Sequence, residues 1–101
     1  MRTVPVLCAA LLCCSATVLA GETVPSGRML ANTCSGCHGT DGKSPGPIPP
    51  IDGMSAEHMA SAMRLFKQGK RPATVMDRIA KGYSDAEIQA MSEHFAGISR
   101  Q

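Results

Sequence analysis

The sequence predicts an all-α fold of about four short helices packed around one large central group. Apolar side chains recur at helical spacing in the second half of the chain, and a capping residue and a glycine bracket each of these runs. The 101 residues include only two phenylalanines, one tyrosine and no tryptophan. Because so small a chain with so few aromatic side chains has a marginal polypeptide core, a bound group is expected to fill its centre.

The first twenty residues are typical of a signal peptide that is removed on export. Arg2 gives a positive start, residues 4–20 are almost continuously apolar, and a small-residue cleavage site precedes Gly21. A transmembrane anchor is the alternative, but the apolar run is short for a full span and no basic cluster follows it. We therefore expect residues 1–20 to be cleaved and residues 21–101 to form a single domain without a membrane span.

A short helix is predicted to open this domain. The side chain of Ser26 suits the N-cap position, and the apolar residues Met29, Leu30 and Ala31 suit a short amphipathic helix. Gly27 falls in the first turn, where glycine costs stability. Close approach by another helix would explain this glycine, and a frayed helix terminus is the alternative.

The segment Cys34-Ser35-Gly36-Cys37-His38 carries the strongest chemical signal of the chain. Its Cys-x-x-Cys-His spacing is the attachment signature of covalently bound c-type haem. On a helical turn the three side chains share one face, so two thiols can form thioethers with one porphyrin while the imidazole of His38 ligates the iron. A thioredoxin-like disulfide would need a βαβ pattern, and a zinc site would need two further ligands, whereas His58 and His94 are isolated.

Residues 39–53 are predicted to form a loop, because they contain four glycines and four prolines. A long ordered loop in a small domain usually has a function, and this one is expected to wrap the proximal side of the haem with Ile48 and Ile51 pointing inward. A ligating histidine normally donates its second ring N–H to a carbonyl, and Pro47 is the predicted source of that carbonyl.

Three further helices follow from caps and apolar spacing. The first begins at Ser55 and ends at Gly69. Its predicted buried stripe consists of Met59, Ala62, Met63 and Phe66. A short helix then runs from an N-cap at Thr74 to Gly82, and the last helix begins with a capping box at Ser84. The last helix should pack across the N-terminal one through the stripe Ile88, Met91 and Phe95.

Charge gives little functional information. From residue 21 onward the chain has nine basic and eight acidic residues, which excludes the strongly basic footprint of a nucleic-acid-binding domain. Four basic residues at the end of the helix that begins at Ser55 either favour the helix dipole or dock a partner: Arg64, Lys67, Lys70 and Arg71. Three residues could contact haem propionates, with solvated charges and a packed tyrosine as the alternative: Arg78, Lys81 and Tyr83.

The iron of an electron carrier needs a second axial ligand, and the soft thioether of methionine suits it because it stabilises reduced iron. Six methionines follow residue 20: Met29, Met54, Met59, Met63, Met76 and Met91. Met29 lies too near the attachment segment, and three others belong to the apolar stripes. Met76, beyond the break at Pro72, is the predicted distal ligand, with Met54 as the runner-up.

Two runs of the sequence resemble class I cytochromes c. They are Cys34-Ser35-Gly36-Cys37-His38-Gly39-Thr40-Asp41-Gly42 and, after Gly46-Pro47, Thr74-Val75-Met76-Asp77-Arg78-Ile79-Ala80-Lys81-Gly82-Tyr83-Ser84. The stretch from Met76 to Ser84 in particular is similar to the cytochrome subunit of flavocytochrome c sulfide dehydrogenase. The resemblance implies the class I cytochrome c fold and one haem c attached in the periplasm. It also implies Met76 as the distal ligand and the carbonyl of Pro47 on the proximal histidine.

The same resemblance implies a subunit that accepts electrons singly from an FAD-containing, sulfide-oxidising flavoprotein and passes them to an acceptor such as another cytochrome. With both axial positions filled, the chain would not be catalytic alone. It departs from the better-known two-haem form of that subunit, because it contains a single Cys-x-x-Cys-His. A free periplasmic shuttle without a fixed partner is the alternative, and a catalytic or gas-sensing haem with an open distal site is the third hypothesis.

Overall fold

The computed structural model describes residues 21–98, and the predicted signal peptide lies outside them. The elements are α1 (Gly27–Ala31), α2 (Ser35–His38), a 3-10 turn (Thr40–Gly42), α3 (Ala56–Lys67), α4 (Met76–Ala80) and α5 (Asp85–Ala96). No strand occurs between residues 21 and 98, so the predicted all-α class is confirmed. The count exceeds the expected four helices because the cysteine motif forms a helical turn of its own, α2. Within the same residues no helix is long and apolar enough to cross a membrane.

Serine caps fix where three of the helices begin. Ser26 accepts a hydrogen bond from a backbone N–H of α1, Ser55 does the same for α3, and the capping box at Ser84 is complete. These three predictions are confirmed. The predicted N-cap at Thr74 is wrong, because α4 begins one residue later and its N-cap is Val75, which has no side-chain acceptor.

The core lies where α1 and α3 pack against α5, and α3 also packs against α4. The α5 stripe is buried as predicted, in the side chains Ile88, Met91 and Phe95. In α3, Met59 and Met63 are buried as predicted, whereas Ala62 and Phe66 are only half-buried, and all four line a cavity beside the core.

The crossing of α1 and α5 depends on Gly27. A Cβ atom on this residue would lie 2.2 Å from the carbonyl oxygen of Ala90 and 3.0 Å from Cβ of His94. The two helix backbones therefore touch at a point where only glycine fits. The close approach predicted for Gly27 is confirmed.

Replacing Gly27 with alanine should therefore destabilise the haem-loaded protein by about 1 to 3 kcal/mol, the usual cost of overpacking. Alanine favours a helix over glycine by up to about 1 kcal/mol, but the clash with Ala90 outweighs that gain. Gly97→Ala is the control, since its Cβ would meet its nearest neighbour at an ordinary 3.5 Å. Unfolding by guanidinium chloride measures both, and a Gly27→Ala protein as stable as the control would contradict the tight crossing.

The proline-rich loop is held to the core at both of its ends. The carbonyl of Gly42 accepts hydrogen bonds from the backbone N–H groups of Ile51 at 2.9 Å and Asp52 at 3.3 Å. The N–H of Gly53 donates to the carbonyl of Phe95 in α5 at 3.0 Å. The residues between these anchors form one wall of a cavity.

Candidate haem site

A cavity of about 440 Å³ opens beside the core. Its volume falls within the range of small-molecule and cofactor sites. Four parts of the chain build it: the attachment segment, the proline-rich loop, α3, and the stretch from residue 71 to residue 83. Its apolar and sulfur-bearing wall includes Cys34, Cys37, Pro47, Ile48, Pro49, Ile51, Met54, Met59, Ala62, Met63, Phe66, Val75, Met76 and Ile79. Its polar lining is Thr33, His38, His58, Arg71, Thr74 and Tyr83.

The two cysteines and His38 all line this cavity, as expected for side chains on one face of a helical turn. The turn is closed by a backbone hydrogen bond of 2.9 Å from the N–H of His38 to the carbonyl of Cys34. Cys34 is half-buried against the core, whereas Cys37 is exposed. Among residues 21–98, no group of three or more His, Cys, Asp or Glu side chains is arranged to hold a metal ion.

Burial raises the pKa of the Cys34 thiol, and a hydrogen bond with Thr33 opposes part of this rise. Burial thus favours the neutral form of this sulfur. A neutral sulfur is compatible with the apolar wall, where a thiolate would lose its hydration.

The ring of His38 is held by the loop. Its Nδ1 lies 2.6 Å from the carbonyl oxygen of Pro49. A carbonyl can only accept, so Nδ1 carries the hydrogen and donates it, and Nε2 keeps the lone pair that a metal needs. This is the arrangement of a metal-ligating histidine with an oriented ring.

The prediction that Pro47 supplies this carbonyl is wrong: the acceptor is Pro49. The loop returns to the core at Ile51, whose N–H is bonded to Gly42. Pro49 is only two residues before Ile51, so its carbonyl lies near the ring of His38. Pro47 also lines the cavity but is four residues before Ile51. Ile51 is buried as expected, but Ile48 is 39% exposed.

Met76 lines the cavity from the first residue of α4 and is half-buried against the core. Met54, the runner-up, also lines the cavity and packs on the core. Met59 and Met63 line it as well, so the α3 stripe serves both the core and the cavity. The structure thus brings four methionines to the same cavity as His38, and Met76 is the one that follows α3 in the chain.

Some of the basic and aromatic residues considered for haem or partner contacts line the cavity, and others face solvent. Arg71 lines the cavity and places its guanidinium 4.9 Å from the ring centre of Phe66. Arg78 and Lys81 are exposed and do not line the cavity. Tyr83 lines the cavity, and its hydroxyl is hydrogen-bonded to Thr33. The sequence gives no signal for this last contact, which joins residues 50 positions apart.

These residues fit a covalently attached haem. The cavity has a mostly apolar wall, two thiols one helical turn apart, and an imidazole whose free nitrogen is fixed by a loop carbonyl. When bound, the haem would supply an iron that accepts and releases one electron. The protein supplies its attachment, its orientation and its shielding from water.

Sequence similarity to known proteins covers the whole of the cavity lining. The family described as "Cytochrome c" matches residues 26–99, most of the chain and every cavity residue. The chain belongs to the cytochrome c family. It is a class I cytochrome c with covalently bound haem c, and its activity is electron transfer.

Three relatives illustrate the range of this family. The chain is 46% identical over 79 residues to the cytochrome subunit of sulfide dehydrogenase from Chlorobaculum tepidum, covering 78% of this chain and 72% of that one. It is 33% identical over 75 residues to cytochrome c-554(548) of Halomonas halodenitrificans, covering 70% and 90%. It is 36% identical over 72 residues to the thiosulfate dehydrogenase electron acceptor of Stutzerimonas stutzeri, covering 67% of this chain and only 33% of that protein.

Proposed function

We propose that this cytochrome transfers one electron at a time through a haem held by Cys34, Cys37, His38 and Met76, and that it serves a sulfide-oxidising flavoprotein. The two cysteines form the thioethers, His38 is the proximal ligand and Met76 is the distal ligand. Residues 1–20 direct the chain to the periplasm and are removed, and the remaining residues form the haem domain.

The hydrogen bond between His38 Nδ1 and the Pro49 carbonyl carries the ligation proposal. It fixes the imidazole plane and leaves Nε2 as the free donor atom. Because the carbonyl belongs to a loop anchored at both ends, the ring keeps its orientation in both oxidation states. An electron carrier needs such constancy, since any rearrangement of its ligands would slow the transfer.

Apolar residues at the rim of the cavity support the proposal of a docking partner. Ile48, Val75 and Ile79 all line the cavity and are 39%, 48% and 43% exposed. Exposed apolar side chains grouped beside a cofactor site are typical of an interface with another protein. We expect a subunit to present such a group, whereas a free shuttle would have a small polar rim.

Charge is unevenly distributed along the chain. Residues 64–81 carry six basic side chains and one acidic side chain, whereas the other residues from 21 onward carry three basic and seven acidic ones. The basic stretch includes the end of α3, the connection to α4, and α4 itself, which packs against α3. An acidic surface on the flavoprotein would complement it.

Reversing two charges of this stretch should slow reduction by the flavoprotein. We expect Arg78→Glu combined with Lys81→Glu to lower the second-order rate constant roughly tenfold at low salt, because both side chains are exposed on α4 and its end. Arg28→Glu combined with Lys43→Glu makes the same charge change outside the basic stretch and should have a much smaller effect. Stopped-flow reduction at two ionic strengths measures both, and equal effects of the two pairs would contradict a docking role for α4.

The partner proposal is tested by mixing the haem-loaded cytochrome with the sulfide-oxidising flavoprotein of the same cell. The expected results are co-elution in size-exclusion chromatography and reduction of the haem on addition of sulfide. Reduction without co-elution would favour the free shuttle. Neither co-elution nor reduction would reject the flavoprotein as partner.

A further inference from the structure

Tyr83 makes two hydrogen bonds to two distant parts of the chain. Its hydroxyl lies 2.5 Å from Oγ1 of Thr33, and its backbone carbonyl accepts a hydrogen bond of 2.6 Å from Nζ of Lys67. Thr33 immediately precedes Cys34, the first haem cysteine, and Lys67 is the last residue of α3. Tyr83 thus links the attachment segment, α3 and the end of the α4 segment.

The segment that ends at Tyr83 begins with the proposed distal ligand. α4 has only five residues and its N-cap makes no side-chain hydrogen bond, so it is too short to be stable without tertiary contacts. The fully buried side chain of Ala80 provides an apolar contact of this kind. The two hydrogen bonds of Tyr83 provide polar ones. The position of Met76 relative to His38 therefore depends on how the far end of this segment is fastened.

The Lys67 contact is more than a surface ion pair. The side chain of Lys67 is 33% exposed, and its pairing with Asp85 at 3.7 Å, on a carboxylate that is 73% exposed, is worth little by itself. The bond to the Tyr83 carbonyl is shorter, partly buried and made by a charged donor, which strengthens it. It also ties the turn between α4 and α5 to α3.

We infer that Tyr83, fastened through Thr33 and Lys67, is a positioning residue that holds the Met76 segment against the haem and so keeps the distal ligand bound. This inference rests on the proposed ligation by Met76. It gives Tyr83 a task other than contact with a haem propionate, because its hydroxyl is engaged by Thr33.

Cyanide binding to the oxidised, haem-loaded protein tests the inference, since cyanide can bind only when the distal ligand has left. Tyr83→Phe removes the hydroxyl and keeps the ring. We expect it to raise the apparent cyanide affinity roughly fivefold, the effect of one lost hydrogen bond. Ser61→Ala, which removes an exposed hydroxyl of α3, is the control and should leave the affinity unchanged.

A double-mutant cycle identifies the bond responsible. Thr33→Val removes this hydrogen bond and also the one that Thr33 Oγ1 donates to the carbonyl of Leu30, so the double variant should differ little from Thr33→Val alone. Fully additive effects would overturn the role of this bond. Lys67→Met should likewise raise the affinity, and its control is Lys70→Met, three residues along and exposed.

Met76→Ala separates failure of this inference from failure of the proposed ligation. If Met76→Ala binds cyanide no more tightly than the unchanged protein, Met76 is not the ligand and the inference about Tyr83 falls with it. If Met76→Ala binds cyanide tightly but Tyr83→Phe does not differ from Ser61→Ala, only the inference is overturned. A Tyr83→Phe protein with lower thermal stability and unchanged cyanide affinity would show a purely structural role and would also overturn it.

Discussion

Replacing Met76 with alanine is expected to lower the reduction potential of the haem by on the order of 0.2 V, since axial ligands alone tune haem potentials over about 0.8 V. The neutral sulfur of methionine stabilises reduced iron, so its loss favours the oxidised form. Spectroelectrochemical titration of the purified haem-loaded protein measures the potential, and the absorption spectrum of the reduced form reports the change of ligand.

Met54→Leu is the matched control for this experiment, because Met54 lines the same cavity and leucine keeps its volume. We expect its potential and spectrum to stay close to those of the unchanged protein. If Met54→Leu lowers the potential and Met76→Ala does not, Met54 is the distal ligand. If neither variant changes the spectrum, the haem has an open or differently ligated distal side, and the third hypothesis gains support.

Replacing Cys34 and Cys37 together with alanine is expected to leave a chain that carries no covalent haem and does not fold stably. Without the haem, the mostly apolar wall of a cavity of about 440 Å³ would lose its packing partners and be left in contact with water. The whole stability of a small domain is about 5 to 15 kcal/mol. The haem therefore acts as part of the core, and the chain depends on retaining it.

Two measurements check this prediction after expression with the haem attachment machinery. Extraction of haem under denaturing conditions shows whether any remains bound to the chain, and circular dichroism shows whether the helices form. The single variants Cys34→Ala and Cys37→Ala, each with one thioether left, should give intermediate results. A double variant that is as helical and as stable as the unchanged protein would contradict the view that the haem completes the core.

The helices and their crossing are largely predictable from sequence because their signals are local. The serines that cap α1, α3 and α5 lie within three residues of the N–H groups that they satisfy. Gly27 left two explanations open in the sequence, close approach by another helix and a frayed terminus, and the contact with Ala90 decides for the first. The Cys-x-x-Cys-His motif is local in the same sense, since one helical turn places its three side chains together.

The missed features depend on where distant segments meet. The loop contains four prolines, and which of them meets His38 depends on how the loop returns to Gly42 at Ile51, which no local pattern reveals. The bond between Thr33 and Tyr83 has the same character, because it joins two segments only after the fold has formed. Thr74 shows the limit of cap rules for a helix as short as α4, whose start is set by packing.

The two proposed iron ligands come from separate segments of the chain, which suits a carrier of single electrons. The attachment segment and the loop hold His38 from one part of the chain, and α4 brings Met76 from another. Each segment is fastened to the core by its own contacts, so both proposed ligands can keep their places as the charge on the iron changes. The apolar rim formed by Ile48, Val75 and Ile79 is where the proposed partner would dock.

The most direct test of this account is an NMR spectrum of the reduced protein with ¹³C-labelled methionine methyl groups. An axial methionine methyl lies over the haem ring, so the ring current moves its resonance far upfield of the others. Of the six methionines after residue 20, we predict that one is shifted in this way and that substitution of Met76 removes it. No shifted methyl, or one that disappears when Met54 is replaced, would contradict ligation by His38 and Met76.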